Sequence, residues 1–265
     1  MIPKVIHYCW FGGNPKPDLI LKCLSSWSEM CPGYEIVEWN ESNWDVEKYQ
    51  FARDAYDSKK WAFVSDVARL DVLKTYGGIY LDTDIELREY DPFAPFLERD
   101  GLMAFETERT IATGLCFASC AGNPLLDALL EPYINKRFDP DNLKDSINSA
   151  MNMPVFSNYL HIEKNGKHQV IQNNEILAVG VSNNFAFHYG TRTWTDNPNL
   201  DAARKQYKNT WLKRALRAPE KFKFIEEKFG EGAILNIYTF IAYDLLENNP
   251  FYFMKRCFRK LTRKR

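Results

Sequence analysis

The segment "KKWAFVSDVARLDVLKTYGGIYL", residues 59–81, most restricts how this chain can fold. Residues 59–76 carry apolar side chains at helical spacing on two faces, at positions 61, 64, 68 and 72 and at positions 63, 67, 70 and 73. A helix that is apolar around much of its circumference must be covered on several sides. Gly77 and Gly78 then provide a helix stop and a turn, and residues 79–81 predict a short buried strand. We expect a helix inside a layered domain, followed directly by a strand.

Strand and helix patterns alternate in the segment before this helix. Val5 to Trp10 predicts a buried strand, residues 19–30 a helix, residues 34–40 a second strand and residues 47–58 another helix. This order favours a parallel sheet that is covered by helices. The sequence therefore predicts an α/β fold.

Two aspartates, Asp82 and Asp84, follow the short strand 79–81. In an open α/β sheet, ligands bind at the carboxyl ends of the strands. Beyond a strand end the side chains no longer alternate between faces, so both carboxylates can turn toward one hard cation such as Mg²⁺ or Mn²⁺. An Asp-x-Asp triplet alone is weak evidence for this site, because it more often consists of two solvated loop acids.

The pattern is looser after residue 90. Residues 101–106 and 114–120 predict strands, residues 123–134 predict a helix, and "NFAFHYGTRTW" predicts a strand that runs into a polar loop. Residues 139–185 are polar and no element is assigned to them, whereas residues 202–229 and 233–247 predict helices. We expect a catalytic domain over 1–200, with its donor half at about 1–110, and a C-terminal helical extension over 201–265.

Charge and cysteine usage exclude several classes of protein. Seven of the 34 Lys and Arg residues lie in residues 251–265, which contain no acid, so the rest of the chain is acidic and nucleic acid is not expected as a partner. The six cysteines form no CxxC pair, which argues against zinc and redox motifs. The sequence shows neither a signal peptide nor a long apolar span. We expect a cytoplasmic protein whose basic, aromatic tail 251–265 attaches it to the inner face of the cell membrane.

Four segments together resemble a known family. "IPKVIHYCWFGG", "CPGYEIVEWN", "SDVARLDVLKTYGGIYLDTDIEL" and "FHYGTRTW", in this order, are similar to bacterial members of glycosyltransferase family 32, which has a sugar-binding region containing a DXD motif. The similarity is close up to about residue 95 and patchy afterwards, and it extends distantly to the clostridial glucosylating toxins. It implies a glycosyltransferase A-type fold with a Rossmann-like donor half, a mixed central sheet and C-terminal helices.

The resemblance also implies a function. The chain would be a retaining hexosyltransferase that uses Mn²⁺ or Mg²⁺ and moves a sugar from a nucleotide-sugar, with UDP-sugars favoured, to a glycan acceptor. The family's bacterial members suggest a role in capsular polysaccharide or lipopolysaccharide synthesis. A lipid-linked glycan acceptor would suit the placement of tail 251–265 at the membrane. The sugar itself is not encoded by any motif in this sequence.

The residues that match the family's motifs receive roles by the same resemblance. Catalysis is assigned to Asp66, Arg69 and Asp84. The metal is assigned to Asp82, Asp84 and His188. Donor binding is assigned to Trp10, Asn40, Ser65, Asp66, Arg69, Tyr80, Asp82, Thr193 and Trp194. Thr193 stands where the family usually has serine, and no residue is marked as a nucleophile; Glu106 is only placed where one would sit.

Each of these residues also has an ordinary explanation. Asp66 and Arg69, spaced i and i+3, are compatible with an intrahelical ion pair. Trp10 is compatible with core packing, and His188 with a hydrogen-bonded residue in a loop.

Three other functions are also compatible with the sequence. A haloacid dehalogenase-type phosphatase also has Asp-x-Asp after a strand, but on its first strand. A transferase that modifies a protein, and a non-catalytic protein that binds nucleotide-sugar or metal, are the further alternatives.

Overall fold

A computed structural model describes residues 1–190, apart from the side chains of Lys144 and Asn183. This part of the chain contains ten strands and five α-helices. The strands are β1 (Val5–Cys9), β2 (Glu35–Trp39), β3 (Gly78–Tyr80), β4 (Ile85–Leu87), β5 (Gly101–Thr107), β6 (Thr110–Ile111), β7 (Phe117–Ser119), β8 (Gln169–Ile171), β9 (Asn174–Leu177) and β10 (Ala186–His188). The helices are α1 (Asp18–Met30), α2 (Gln50–Asp57), α3 (Trp61–Tyr76), α4 (Pro124–Ile134) and α5 (Asn148–Tyr159).

The central sheet is mixed. Its strands lie in the order β2-β1-β3-β7-β5-β9-β8, and β6 pairs with β5 at the side. The first three strands are parallel, whereas β7 is antiparallel to both β3 and β5. The β-α-β order at the start of the chain therefore forms the parallel half, as predicted. The α/β class with a mixed central sheet is confirmed, and it agrees with the predicted glycosyltransferase A-type fold.

Both faces of the sheet are covered, because neighbouring residues of each strand enter different apolar clusters. Tyr80 belongs to the cluster formed with α2, α3, α4 and α5. Ile79 belongs to a second cluster, which contains Trp27 of α1 and the apolar side chains of β4 and β10. In α3, ten of the sixteen residues are buried, which confirms the expected all-round burial of this helix.

The Gly77–Gly78 pair lets α3 turn directly into β3. Gly77 has φ 65° and Gly78 has φ 104°, and these values favour glycine. The amide of Gly77 donates to the carbonyl of Leu73, 2.8 Å away, which ends the helix. A Cβ on Gly78 would collide with the ring of His7 on β1. The turn therefore reverses the chain, so that the end of β3 comes to the same edge as the part of α3 that carries Asp66 and Arg69.

A separate two-stranded ribbon, β4 paired antiparallel with β10, follows the two aspartates. β10 lies about a hundred residues further along the chain than β4. The ribbon therefore places the predicted late histidine beside the Asp-x-Asp segment.

The structure adds elements where the sequence pattern predicts none. The polar stretch 139–185 contains α5, β8 and β9. Pro154 lies inside α5, and proline is unfavourable in a helix interior. The two strands have only three and four residues, too few to show a period.

Several expectations are not tested by the described residues. The predicted helices 202–229 and 233–247, the domain boundary at 200 and the basic tail 251–265 lie outside them. Five cysteines of residues 1–190 are free thiols. Within the same residues, no helix has the length and apolarity needed to cross a bilayer.

Candidate functional site

A cavity of about 810 Å³ opens where β1 and β3 end. It is lined by eight of the predicted site residues: Trp10, Ser65, Asp66, Arg69, Tyr80, Asp82, Asp84 and His188. The side chains come from α3, from the segments after β1 and β3, and from β10. The described lining does not include Asn40, and Thr193 and Trp194 lie outside the described residues. The structure therefore gathers most of the predicted site into one concave surface.

Arg69 is the centre of this surface, and only 4% of it is exposed. Its Nη2 lies 3.0 Å from Oδ1 of Asp66 and 3.1 Å from Oδ1 of Asp82. Its Nε donates to the carbonyl of Ser65 at 3.1 Å, and its guanidinium carbon lies 4.6 Å from the ring centroid of Tyr80. One buried cation thus links the helix aspartate to the first aspartate of the Asp-x-Asp pair. The intrahelical ion pair exists, and it is also part of the cavity.

Burial and charge act in opposite directions on these groups. Burial raises the pKa of Asp66 to about 6, although Arg69 and a hydrogen bond from Asn148 favour its charged form. Burial would lower the pKa of Arg69, but the negative charges around it, first that of Asp82, shift it upward. Arg69 therefore stays charged, whereas Asp66 titrates close to neutral pH.

Gly114 makes room for the Arg69–Asp82 pair. Its carbonyl accepts a hydrogen bond from the amide of Asp82 at 2.8 Å. A Cβ at position 114 would collide with the carboxylate of Asp82 and lie 2.8 Å from Nη1 of Arg69. Glycine is needed here because the two side chains approach the backbone closely.

Asp84 faces His188 across the ribbon. Oδ1 of Asp84 lies 3.2 Å from Nε2 of His188, and the carbonyl of Asp84 accepts from the amide of Tyr189 at 3.0 Å. Burial lowers the pKa of His188, but the hydrogen bond and the charge of Asp84 outweigh it, so the net shift is upward. His188 is therefore not an isolated loop histidine, because the ribbon holds it against the second aspartate.

Trp10 lies at the mouth of the cavity and is partly exposed. Its Nε1 donates to the carbonyl of Asn14 at 2.7 Å. The ammonium of Lys16 lies 5.6 Å from the ring centroid, within the range of a cation–π contact. Trp10 is thus held by the loop after β1 while part of it faces the cavity, as a stacking surface requires.

The side chain of Asn40 contacts neighbouring residues, whereas the sequence predicts that it binds the donor. Its Oδ1 accepts from the amide of Ser42 at 2.9 Å, and its Nδ2 donates to Glu38 at 3.0 Å. Glu38 also accepts from Lys16 at 2.7 Å and from the Tyr8 hydroxyl at 2.6 Å. Both polar groups of the Asn40 side chain are therefore engaged by neighbouring residues, and Glu38 and Lys16 link it to Trp10. Direct contact of Asn40 with a donor stays a prediction that the geometry does not support.

Two polar residues of the site were missed by sequence reasoning. Nδ2 of Asn148 donates to Oδ1 of Asp66 at 3.0 Å and to Oγ1 of Thr113 at 2.6 Å. Thr113 is fully buried, and both residues line the cavity. Asn148 opens α5, in the polar region where no helix was predicted, so no periodic signal marked it. Thr113 follows the short β6, which has only two residues.

The donor set of the cavity fits a divalent cation. Asp82 and Asp84 offer carboxylate oxygens and His188 an imidazole, a combination that suits Mn²⁺ and, through the carboxylates, Mg²⁺. Residues 1–190 contain no group of three or more His, Cys, Asp or Glu side chains that already converge for a metal ion. Instead, Asp82 pairs with Arg69 and Asp84 with His188. Mg²⁺ commonly uses one or two carboxylates together with substrate phosphates, so the arrangement is compatible with a metal that binds with its substrate.

The raised pKa of Asp66 predicts a pH-dependent stability. The pKa is about 6 in the folded chain, against about 3.9 in an unfolded one. The folded state therefore binds more protons between these values, so this contribution to stability is complete below about pH 4 and is lost as the pH rises through about 6. In Asp66→Asn the side chain cannot ionise, so the variant does not lose this stability as the pH rises. Its unfolding free energy, relative to the unmodified chain, should rise by up to about 3 kcal/mol between pH 4 and pH 7.

Urea unfolding at pH 4, 5, 6 and 7 measures this difference. Asp57→Asn serves as the control, because 57% of the Asp57 side chain is exposed on α2. Its difference from the unmodified chain should stay within about 0.5 kcal/mol over the range, as for most surface substitutions. A flat or falling difference for Asp66→Asn would show that Asp66 is not destabilised by burial.

A family model matches this part of the chain. Residues 17–93 match the family described as "Glycosyltransferase sugar-binding region containing DXD motif". The match contains Asp66, Arg69, Asp82 and Asp84. Trp10 and His188 lie outside it and are joined to it by the fold.

Two curated proteins are similar to part of the chain. Subversion of eukaryotic traffic protein A of Legionella pneumophila is 30% identical over 125 residues, which cover 36% of this chain and 19% of that protein. Inositol phosphoceramide mannosyltransferase 3 of Schizosaccharomyces pombe is 34% identical over 96 residues, which cover 34% of this chain and 27% of that protein. The chain thus spans 19% of the length of the first relative and 27% of the second.

Two solved structures show a weaker likeness. PaToxG Glycosyltransferase aligns with 59% of this chain and 69% of its own, at 18% identity and a TM-score of 0.48. A glycosyltransferase involved in the glycosylation of the major capsid of PBCV-1 aligns with 71% of this chain and 95% of its own, at 11% identity and a TM-score of 0.40. Both TM-scores are below 0.5, so the fold assignment rests on the sheet topology. What the comparisons show of this chain is therefore a match of residues 17–93 to the glycosyltransferase sugar-binding region that contains the DXD motif.

Proposed function

We propose that this chain is a retaining, metal-dependent glycosyltransferase. It moves a hexose from a nucleotide-sugar, with UDP-sugars favoured, to a hydroxyl of a glycan acceptor in the synthesis of capsular polysaccharide or lipopolysaccharide. One observation carries the proposal: Asp66, Arg69, Asp82, Asp84 and His188 line a single cavity at the carboxyl ends of the parallel strands. In an open α/β sheet this edge binds ligands.

The donor's three parts correspond to three regions of the cavity. The diphosphate lies beside Asp82, Asp84 and His188, where a bound Mn²⁺ or Mg²⁺ would supply Lewis-acid stabilisation of the leaving nucleotide. The sugar lies beside Asp66, whose carboxylate accepts hydrogen bonds from hydroxyls and is oriented by Arg69 and Asn148. The nucleobase stacks on Trp10 at the mouth.

Transfer exchanges one bond at the anomeric carbon. The bond to the phosphate oxygen breaks, a bond to the acceptor oxygen forms, and the acceptor's proton passes to the leaving phosphate. We favour attack on the same face, which retains configuration. Glu106 lines the cavity from β5 but is exposed, and its position does not single it out as a nucleophile. Closing the cavity against water would suppress hydrolysis, the competing reaction.

A donor panel tests the proposal. The protein is incubated with Mn²⁺ and UDP-glucose, UDP-galactose, UDP-N-acetylglucosamine or GDP-mannose, and nucleotide release is measured with and without a chelator. GDP-mannose is included because the name of the Schizosaccharomyces relative describes a mannosyltransferase. We expect slow release from one donor, and loss of that release when the metal is removed.

The other outcomes identify the alternatives. Cleavage of a phosphomonoester without binding of any donor would favour a phosphatase. Donor binding without release, even when candidate glycans are added, would favour a non-catalytic binding protein. Transfer to a protein but not to a glycan would replace the proposed acceptor.

The basic tail completes the proposal. Residues 251–265 would hold the enzyme at the inner face of the cell membrane, close to a lipid-linked acceptor, through seven positive charges worth about 1 kcal/mol each near an anionic surface. Deleting the tail should abolish sedimentation with anionic liposomes. Undiminished sedimentation of the deleted chain would contradict the membrane contact and leave the transferase proposal intact.

A further inference from the structure

His188 reaches Asp84 only because β10 pairs with β4 in one register. Ala186 lies opposite Leu87, Phe187 opposite Glu86, and His188 opposite Ile85. A shift by one residue would turn His188 to the opposite face of the ribbon. The distance between the imidazole and Asp84 therefore depends on whatever fixes this register.

The ribbon's own backbone provides little of that restraint. Each strand has three residues, and an isolated pair of strands is marginally stable in water at best. Beyond the strand pairs, the amide of Arg88 donates to the carbonyl of Phe185 at 2.8 Å, and the amide of Tyr189 donates to that of Asp84 at 3.0 Å. Side chains supply the remainder: Ile85, Leu87 and Ala186 are buried in the second apolar cluster, and polar side-chain contacts add to this restraint.

Three side chains from three elements meet beside His188, and we call them the clasp: Lys22, Glu86 and Tyr189. The ammonium of Lys22 lies 3.0 Å from Oε1 of Glu86 and 3.0 Å from the hydroxyl of Tyr189. The Tyr189 hydroxyl in turn donates to Oε2 of Glu86 at 2.9 Å. The clasp therefore ties α1, β4 and the end of β10 together, one residue after His188.

Arg88 is a further partner of Glu86 beside the clasp. Nη2 of Arg88 lies 2.7 Å from Oε2 of Glu86, and its guanidinium carbon lies 4.3 Å from the ring centroid of Phe187. Both chain neighbours of His188, Phe187 and Tyr189, are thus in contact with residues 86–88.

None of the clasp residues lines the cavity, whereas Asp84 and His188 do. We propose that the clasp is a positioning device that holds His188 at Asp84 and so sets the affinity of the site for Mn²⁺. Lys22, Glu86 and Tyr189 act through His188 and touch neither donor nor metal. This inference rests on the proposed metal site. The contacts of Lys22, Glu86 and Tyr189 are the observations that connect these residues to it.

Tyr189→Phe is the most specific test, because it removes one hydroxyl and keeps the ring against Phe187, whose centroid lies 4.9 Å away. Mn²⁺ affinity is measured by electron paramagnetic resonance, with the metal alone and with UDP present. Loss of groups that orient metal ligands typically weakens affinity about 10- to 100-fold, and we expect about 10-fold for this indirect contact. Excess Mn²⁺ should restore turnover. Tyr90→Phe, at a tyrosine that is 70% exposed, should change neither quantity.

A double-mutant cycle separates positioning from general stability. If the clasp acts through His188, Tyr189→Phe should weaken Mn²⁺ binding in the unmodified chain and leave it within about twofold in a His188→Ala background. Unchanged Mn²⁺ affinity in Tyr189→Phe, with or without a lower melting temperature, would overturn the inference and leave the metal site standing. If the unmodified chain binds no Mn²⁺ in the presence of UDP, both the proposed role of the clasp and the proposed metal site are wrong. The transferase proposal is tested separately, by nucleotide release from the donor panel.

Discussion

Asp84→Ala should lower nucleotide-sugar turnover roughly a thousandfold, equivalent to about 4 kcal/mol of transition-state stabilisation. Asp84 is 7% exposed, lies on the cavity and is held against His188. The substitution removes a carboxylate from the proposed diphosphate site and leaves the imidazole without its partner. Mn²⁺ affinity, measured with UDP present, should fall together with turnover. The backbone hydrogen bond from Tyr189 to the carbonyl of residue 84 does not depend on the side chain, so the ribbon should persist.

The control for this experiment is Asp57→Ala, at the exposed α2 aspartate, which should keep turnover within about twofold. Circular dichroism and thermal unfolding establish that the Asp84 variant is folded. If the folded variant retained turnover within threefold of the unmodified chain, Asp84 would have no role in the reaction. The ordinary reading of the Asp-x-Asp pair as structural acids would then stand.

Arg69→Met should destabilise the folded chain by about 3–5 kcal/mol at pH 7, the usual cost of leaving a buried charge without its partner. Arg69 is the cation that links Asp66 and Asp82. Methionine has a similar length and carries no charge, so the cost reflects electrostatics more than lost volume. Because the pKa of Asp66 is already about 6, protonation relieves part of the cost, and the destabilisation should be smaller at pH 5. Urea unfolding at the two pH values measures both effects.

Two further variants sharpen this result. Arg53→Met removes an arginine that is 40% exposed and pairs with Asp57 on the surface of α2; its cost should stay below about 1 kcal/mol. Arg69→Lys keeps the charge but lacks the planar fork of donors, so it should recover part of the stability while donor turnover stays low. A cost below 1 kcal/mol for Arg69→Met would show that Asp66 and Asp82 do not need this cation.

Resemblance to a family selected the predicted site, and local pattern placed its residues in the secondary structure. Asp66 and Arg69 are three residues apart on a helix whose apolar faces are visible in the sequence, and Asp82 and Asp84 follow a strand that two glycines introduce. The secondary structure at these positions was predictable because the residues lie close together in the sequence and the helix has a clear apolar period. Asn40 shows the limit of such reasoning, since its place after a strand suggested the cavity but its side chain closes a turn.

Contacts between distant parts of the chain were beyond local pattern. Gly114 has an ordinary φ, and only the approach of Asp82 and Arg69 explains why a side chain is excluded there. Asn148 reaches Asp66 across 82 residues of sequence, from a helix hidden by polar residues and Pro154. The clasp joins Lys22 to Tyr189 across 167 residues. None of these pairings leaves a periodic trace in the sequence.

The sequence by itself determined the α/β class, the buried helix α3 and the strand that follows it, because periodicity and turn residues act over a few positions. The four charged residues around their junction were selected by the resemblance of their motifs to a family. The tertiary structure decided which of these groups share a cavity. It paired Asp82 with Arg69, brought His188 to Asp84 through the β4–β10 ribbon, and engaged the Asn40 side chain with Ser42 and Glu38. The physical reason is that such pairings depend on strand register and close packing, which only the folded chain specifies.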